Sequence, residues 1–344
     1  MKKIISVLIC TFLTLVAFSG CGNSTVKETG KSDKLSVVAT IFPEYDWTKE
    51  ILGEQAENTD LTLLLDKGVD LHSYQPTADD IAKISDCDLF IYVGGESDGW
   101  VDDALKNATN KNMKVINLLD TLGSSVKTEE TVEGMQEEEH DHEPGEDEEH
   151  EEHHDEDEPH EEEHEEEEKD EHVWLSVKNT EVICNAISSA LQELDPENKD
   201  VYAKNAADYT EKLSALDAEY QSTVDTAARK TVLFGDRFPF RYMVDDYGLT
   251  YYAAFVGCSA ETEASFETIS FLAAKVDELK LPCVLTIEGA KHNIAETIVQ
   301  NTADKNQKIL TMNSMQSTTA ADEKSTTYLS VMQDNLSVLK QALN

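Results

Sequence analysis

Two histidines lie where a metal-binding side chain would be well placed. His72 follows a short apolar segment at 61–65, and His172 lies between a charged run and the apolar block 173–175. In open α/β sheets ligands bind beyond the carboxyl ends of the strands, and imidazole is a good ligand for zinc and other late divalent ions. Taken alone, each histidine could equally be a solvated surface residue.

More histidines lie in an acidic stretch at 137–171. It contains 24 Asp/Glu, one Lys and seven His, and so carries −23 of the formal charge of −42. Self-repulsion and the lack of large apolar residues predict a disordered insertion over 127–171. Because mixed imidazole and carboxylate groups bind divalent ions, we expect weak, multiple metal binding by His140, His142, His150, His153, His154, His160 and His164. The alternative is a solvated charged loop.

The beginning of the chain has the features of an exported protein. A basic dipeptide precedes an apolar stretch at 4–18, which is shorter than the roughly 20 residues of a spanning helix and typical of a signal peptide. Cys21 follows two small residues, as in a bacterial lipobox. We expect a signal peptide over 1–20, a lipidated Cys21, and a flexible tether that ends at residue 34. Ordinary cleavage beside a chance cysteine is the alternative.

Composition excludes several classes of function. The acidic balance excludes a nucleic-acid partner, because phosphate binding needs clusters of Lys and Arg. The sequence contains no Ser-His-Asp set, phosphate loop or dinucleotide fingerprint, and we expect no enzymatic activity. The other cysteines of the expected mature chain lack the paired spacing of a zinc knuckle. A disulfide between Cys258 and Cys283 is an alternative to buried free thiols, which we favour.

Strand and helix patterns alternate along the chain, and this predicts the α/β class with parallel sheets. Before the acidic stretch, strands are predicted at 35–42, 61–65, 88–93 and 114–118, and helices at 45–52, after Thr77, and at 100–105. After it, strands are predicted at 231–234, 250–255, 283–287 and 308–312, and helices at 268–279, 294–301 and 327–343. Between them a long helix at 197–229 carries apolar residues at spacings of three and four. We therefore predict an N-terminal lobe at 35–196 and a C-terminal lobe at 230–344.

Several strings of the sequence resemble the metal-binding receptors of zinc and manganese ABC importers, the ZnuA-like family. These are LHSYQPTADD at 71–80, DLFIYVGG at 88–95, DEHVWLS at 170–176, LDPEN at 194–198 and TYLSVMQDNL at 327–336. The resemblance runs from about residue 35 to the end, interrupted by the acidic insertion. It implies two Rossmann-like lobes joined by one long α-helix, with a metal site in the cleft between the lobes.

The resemblance also implies which residues bind the metal. His72 and His172 match two histidine ligands of the family. The family's third ligand falls at Gly235, where this chain has no side chain, and Asp236 is the nearest replacement. The fourth falls at Asn313, a neutral and poor ligand. Candidates to compensate lie at predicted strand and helix ends; they are Glu263, Glu288 and His292.

These features together predict a receptor outside the cytoplasm, lipid-anchored to the bacterial membrane. We expect a monomer that binds Zn²⁺ and delivers it to the permease subunits of an ABC importer. Zinc is preferred because zinc receptors of the family often carry a His-rich loop at this position. The alternatives are a manganese or nickel receptor of the same fold, or a surface metal buffer or adhesin without a transporter.

Overall fold

The structure is a computed structural model that describes residues 34–136, 168–259, 263–289, 291–319 and 322–344. The predicted signal peptide, Cys21 and the seven histidines of the acidic stretch lie outside these residues. In the described part, no helix is both long enough and apolar enough to cross a membrane. The two parallel sheets covered by helices confirm the predicted fold class.

The first sheet has four parallel strands in the order β2-β1-β3-β4. They are β1 (Ser36–Ala39), β2 (Asp60–Leu63), β3 (Leu89–Tyr92) and β4 (Lys114–Asn117). The helices of this part are α1 (Phe42–Leu52), α2 (Ala78–Asp86), α3 (Val101–Lys106), α4 (Leu118–Leu122) and α5 (Val177–Leu194). Every residue of β3 is buried, as expected for a central strand covered on both faces.

Local sequence signals explain most helix boundaries in this part. Thr77 and Asp80 form the predicted capping box at the start of α2. The predicted start of α1 is wrong by three residues, because Pro43 lies in the first helical turn, where its missing N–H costs nothing. Helix α5 is absent from the prediction. Ser176 caps it, and its buried face includes Ile183 and Ile187.

The predicted long helix is α6 (Lys199–Thr226), and its apolar stripe is buried. The buried residues include Tyr202, Ala206, Tyr209, Leu213, Leu216 and Tyr220. It packs against α1 and α5 from the first part of the chain and against α11 (Tyr328–Ala342) near its end. This helix therefore joins the two halves of the fold by packing against helices of both, as well as by linking them along the chain.

The second sheet repeats the first, with strand order β6-β5-β7-β8 and all pairs parallel. Its strands are β5 (Thr231–Phe238), β6 (Thr250–Val256), β7 (Cys283–Thr286) and β8 (Lys308–Thr311). The remaining helices are α7 (Arg241–Tyr247), α8 (Phe266–Leu279), α9 (Asn293–Asn301) and α10 (Asp322–Ser325). β5 is longer than predicted, and its pairing with β6 shifts register between Phe234 and Arg237.

Candidate metal centre

The side chains of His72 and His172 converge although they are 100 residues apart. Their Nε2 atoms are 3.2 Å apart, and the ring planes are inclined at 59°. His72 lies in a short turn after β2, and His172 directly precedes the turn that leads into α5. Two nitrogens bound to one tetrahedral zinc at about 2.0–2.1 Å would be separated by about 3.3 Å. The observed spacing matches that geometry.

Hydrogen bonds at the far side of each ring orient the two imidazoles. His172 Nδ1 lies 2.8 Å from Asp170 Oδ1 and must donate to that carboxylate. His72 Nδ1 lies 2.7 Å from Ser97 Oγ, and Ser97 in turn donates to Glu171. With the proton of each ring on Nδ1, both Nε2 atoms present lone pairs to the same point. Two facing lone pairs repel each other, and a cation bound to both would remove that repulsion. The Asp170 carboxylate behind His172 is the usual support for a metal-bound imidazole.

The environment also holds His72 in the form that binds metal. Burial lowers the pKa of His72 to about 3, and the neighbouring His172 acts in the same direction. At neutral pH the His72 imidazole is consequently uncharged, and its Nε2 lone pair is free to coordinate a cation without first losing a proton.

Cys258 places a third donor beside the two histidines. Among the described residues, its Sγ and the two histidine nitrogens form a group whose atoms all lie within 4.8 Å of one another. Its backbone N–H donates to Glu129 Oε1 at 3.0 Å. Burial and the Glu129 carboxylate raise the pKa of the Cys258 thiol. Cys258 and Cys283 are free thiols, as favoured from the sequence.

Gly257 makes this approach of Cys258 possible. A Cβ at position 257 would lie 2.9 Å from Cε1 of His172 and 3.0 Å from its Nδ1. A side chain there would push the end of β6 away from the ring. The absence of a side chain thus lets the backbone beside Cys258 touch the imidazole.

Sequence reasoning did not include Cys258 among the candidate ligands. A signal was present, because Cys258 follows a predicted strand at 250–255 just as Glu288 follows one at 283–287. Ligands gather at such strand ends. The cysteine was considered only for disulfide formation or burial.

Asp236 and Glu288 line a cavity of about 730 Å³ but lie outside the cluster of His72, His172 and Cys258. Asp236 lies in the irregular part of β5 and accepts backbone N–H groups from Arg237 at 3.0 Å and Ile287 at 3.3 Å. Glu288 accepts from the backbone N–H of Ser314 at 2.6 Å and from its hydroxyl at 2.7 Å. Both carboxylates therefore hold backbone segments in place.

His292 and Glu263 line the same cavity and are likewise outside the cluster. His292 directly precedes α9, and its Nδ1 is buried without a hydrogen-bond partner among the described residues. Glu263 is exposed. Position 235 offers no ligand either, because a Cβ there would lie 2.6 Å from the Cα of Ala295.

Arg237 links the second sheet to the His72 loop. It follows the register shift in β5, and such irregularities commonly redirect a side chain. Its guanidinium forms an ion pair with Asp70, and both side chains are mostly buried. Asp70 Oδ1 accepts the backbone N–H of His72 at 3.1 Å. The pair thus joins the two halves of the molecule beside the candidate metal centre.

The fold and the site define a two-lobed α/β protein with a pair of converging histidines between its parallel sheets. The chain belongs to the family described as ZnuA, zinc-uptake complex component A, periplasmic, whose profile matches residues 37–342. This confirms the resemblance noted from the sequence.

Individual relatives agree with this assignment. The chain is 32% identical over 342 residues to the zinc-binding lipoprotein AdcA of Streptococcus pneumoniae, covering 99% of this chain and 61% of the relative. It is 31% identical over 339 residues to the high-affinity zinc uptake system protein ZnuA of Bacillus subtilis, covering 98% and 96%. The chain thus spans about three fifths of the AdcA relative and nearly all of ZnuA.

Solved structures show the same architecture. The Zn(II)-bound ZnuA-like domain of Streptococcus pneumoniae AdcA superposes with a TM-score of 0.66 at 28% identity, covering 90% of this chain and 99% of that one. The metal-dependent lipoprotein YcdH of Bacillus subtilis gives a TM-score of 0.68 at 26% identity, with the same coverage.

Proposed function

We propose that this chain is an extracytoplasmic receptor that binds one Zn²⁺ ion in its cleft and delivers it to an ABC importer. The convergence of the His72 and His172 Nε2 atoms at 3.2 Å carries this proposal. The His172 ring is buried and the His72 ring is mostly buried, and hydrogen bonds on the far side orient each of them. Capture requires ligand exchange only, so we propose no catalytic step.

The printed names of the relatives support zinc as the cargo. AdcA is named a zinc-binding lipoprotein, and the Bacillus subtilis relative is named a component of a zinc uptake system. Imidazole ligands suit zinc well, whereas manganese prefers carboxylate and water. The two converging histidines therefore favour zinc over manganese.

We propose the same division of the chain as the sequence predicts. A signal peptide over 1–20 exports the protein, and a lipid on Cys21 anchors it outside the cell membrane. A tether at 21–34 precedes the N-terminal lobe at 35–196. The connecting helix at 197–229 and the C-terminal lobe at 230–344 complete a monomer that docks on the permease subunits.

The acidic stretch is proposed as an auxiliary metal-binding segment. Its two described ends pair next to the cleft: Asp170 N–H donates to Lys127 O at 2.9 Å, and Glu129 N–H donates to Glu168 O at 2.8 Å. Asp170 also orients His172, and Glu129 also binds the Cys258 backbone. Metal collected by the histidines of this segment would be concentrated near the cleft.

Two measurements test the proposed function. Equilibrium titration of the full chain, purified in detergent, against a competing chelator should reveal one tight zinc site at neutral pH. Manganese binding more tightly than zinc would contradict the assignment of the cargo. Deletion of the gene should lower uptake of radioactive zinc by cells, and restoration should require the wild-type cleft. Unchanged uptake would instead support a surface metal buffer.

A further inference from the structure

We propose that Cys258 is the third ligand of the cleft, a thiolate from the second lobe that sets the preference for zinc over manganese. This inference rests on the proposed function and names a donor within that same site. Among the described histidine, cysteine, aspartate and glutamate residues, Cys258 is the second-lobe member of the group that surrounds the two histidine nitrogens.

The geometry is close to that of a tetrahedral zinc site. Zn–N bonds of about 2.0–2.1 Å and a Zn–S bond of about 2.3 Å place nitrogen and sulfur about 3.6 Å apart. The Cys258 sulfur lies within 4.8 Å of a ring nitrogen of each histidine. A closing movement of at most about 1.2 Å therefore completes the site, and rotation of one side chain supplies a movement of that size.

The other second-lobe candidates have different tasks. The carboxylates of Asp236 and Glu288 accept backbone N–H groups of neighbouring loops, and ligating a metal would break those hydrogen bonds. Arg237 is a cation paired with Asp70 and cannot bind a metal. The Cys258 backbone N–H holds the strand end through Glu129, and its thiol interacts with the same carboxylate, so metal binding would exchange one thiol contact and leave the backbone hydrogen bond in place.

A buried amide next to the cluster points to a ligand at the same place. Gln316 is 1% exposed, and its Oε1 and Nε2 have no hydrogen-bond partner within the described residues. Its side chain faces His72. A buried amide without partners is costly. A metal held by His72, His172 and Cys258 would satisfy Gln316 Oε1, directly or through one bound water, as the fourth donor.

The thiolate explains selectivity in chemical terms. When zinc binds, a Zn–S bond forms and the S–H bond breaks, and the proton leaves to solvent. Thiolate is a soft ligand that favours zinc, whereas manganese favours the carboxylates that this cluster lacks. A centre of two imidazoles and one thiolate therefore discriminates against manganese more strongly than imidazoles with a carboxylate.

Cobalt substitution tests the proposal directly, because a Co²⁺–thiolate bond gives a near-ultraviolet charge-transfer band that imidazole and carboxylate do not give. The full chain in detergent should show this band with one equivalent of Co²⁺. Cys258→Ser should abolish the band and lower zinc affinity about 100-fold or more, at or above the largest loss expected from an outer-shell change. Cys283→Ser, which removes a buried thiol elsewhere in the second sheet, should retain both.

The outcomes separate this proposal from the proposed function. Tight binding of one Co²⁺ without the band, or a band that survives Cys258→Ser, overturns the role of Cys258 and leaves the receptor intact. Absence of any tight site in the wild-type chain overturns the receptor itself. X-ray absorption of the zinc-loaded wild type needs no variant, and a shell without sulfur at about 2.3 Å would overturn the proposal.

Discussion

Arg237 of the second sheet forms an ion pair with Asp70, whose other carboxylate oxygen holds the backbone of His72. This arrangement ties the loop that carries one candidate ligand to the opposite side of the cleft. The contribution of this ion pair to metal retention can be measured separately from that of the metal bonds.

Breaking the Arg237–Asp70 ion pair should speed the release of zinc. Arg237→Met and Asp70→Asn should each raise the zinc dissociation rate about fivefold, because a coupled pair of this kind is worth on the order of 1 kcal/mol. The double variant should lose no more than either single one. Stopped-flow release into a chelator measures all four rates, and fully additive effects would show that the pair is not coupled to release.

Replacing either histidine should abolish tight binding. His72→Ala and His172→Ala should each lower zinc affinity by at least about 100-fold, because each removes one ligand and leaves the other nitrogen unopposed. His292→Ala is the matched control, since His292 lines the cavity outside the cluster. Competition titration gives the affinities. An equal loss in the control would mean that the centre has been assigned to the wrong side of the cleft.

Asp170 should affect metal affinity without touching the metal. Its Oδ1 accepts from the His172 ring at 2.8 Å and from the His172 backbone at 2.9 Å. Asp170→Ala should therefore weaken zinc binding by about 10–100-fold. Asp245→Ala removes a carboxylate that pairs with Lys127 and Arg241, and should leave the affinity close to wild type.

Glu44 should make stability depend on pH. Burial, reinforced by Asp98, raises the pKa of Glu44 to about 8. Between the ordinary pKa of 4.5 and about 8 the folded state holds this proton more tightly than the unfolded chain. The free energy of unfolding therefore falls as pH rises through that window, by up to about 1.4 kcal/mol per unit, and levels off above it. Denaturant unfolding from pH 5 to 9 measures the slope, which Glu44→Gln should reduce; an equal slope in both proteins would refute the role of Glu44.

Removing the acidic stretch should change stoichiometry and preserve affinity. A chain in which a short Gly/Ser linker replaces residues 137–167 should bind fewer zinc ions while keeping one tight site, because His72, His172 and Cys258 lie outside that segment. Isothermal titration calorimetry separates the two classes of site. Loss of the tight site would mean that the stretch supplies a ligand to the cleft.

Strong local signals made the fold predictable from the sequence. The Thr77–Asp80 capping box and the apolar stripe of the long helix each follow from a spacing rule that holds without knowledge of the rest of the chain. Helix α5 was not predicted, although Ser176 caps it and buried residues such as Ile183 and Ile187 recur along it at helical spacing.

The proposed ligand from the second lobe, Cys258, was not predictable by the same rules. The position of Cys258 depends on how closely β6 approaches His172, and that depends on the missing side chain of Gly257. The register shift in β5 turns Arg237 toward Asp70. A packing distance between lobes produces no periodic pattern in a single sequence, and a strand irregularity produces none either. The resemblance implied Gly235 as the position of the third ligand and Asp236 as its nearest replacement, and Asp236 stays a prediction.

The short antiparallel contact that joins Thr128 to Lys169 has a consequence for how this protein can vary. It fixes both ends of the acidic stretch at one place. For a connection closed in this way, each doubling of length adds only about 0.6 kcal/mol to the free-energy cost of loop closure. Insertions and deletions between the two ends are nearly neutral for folding. The number of histidines in the stretch can thus change between descendants of this chain without altering the candidate ligands of the cleft, which lie outside it.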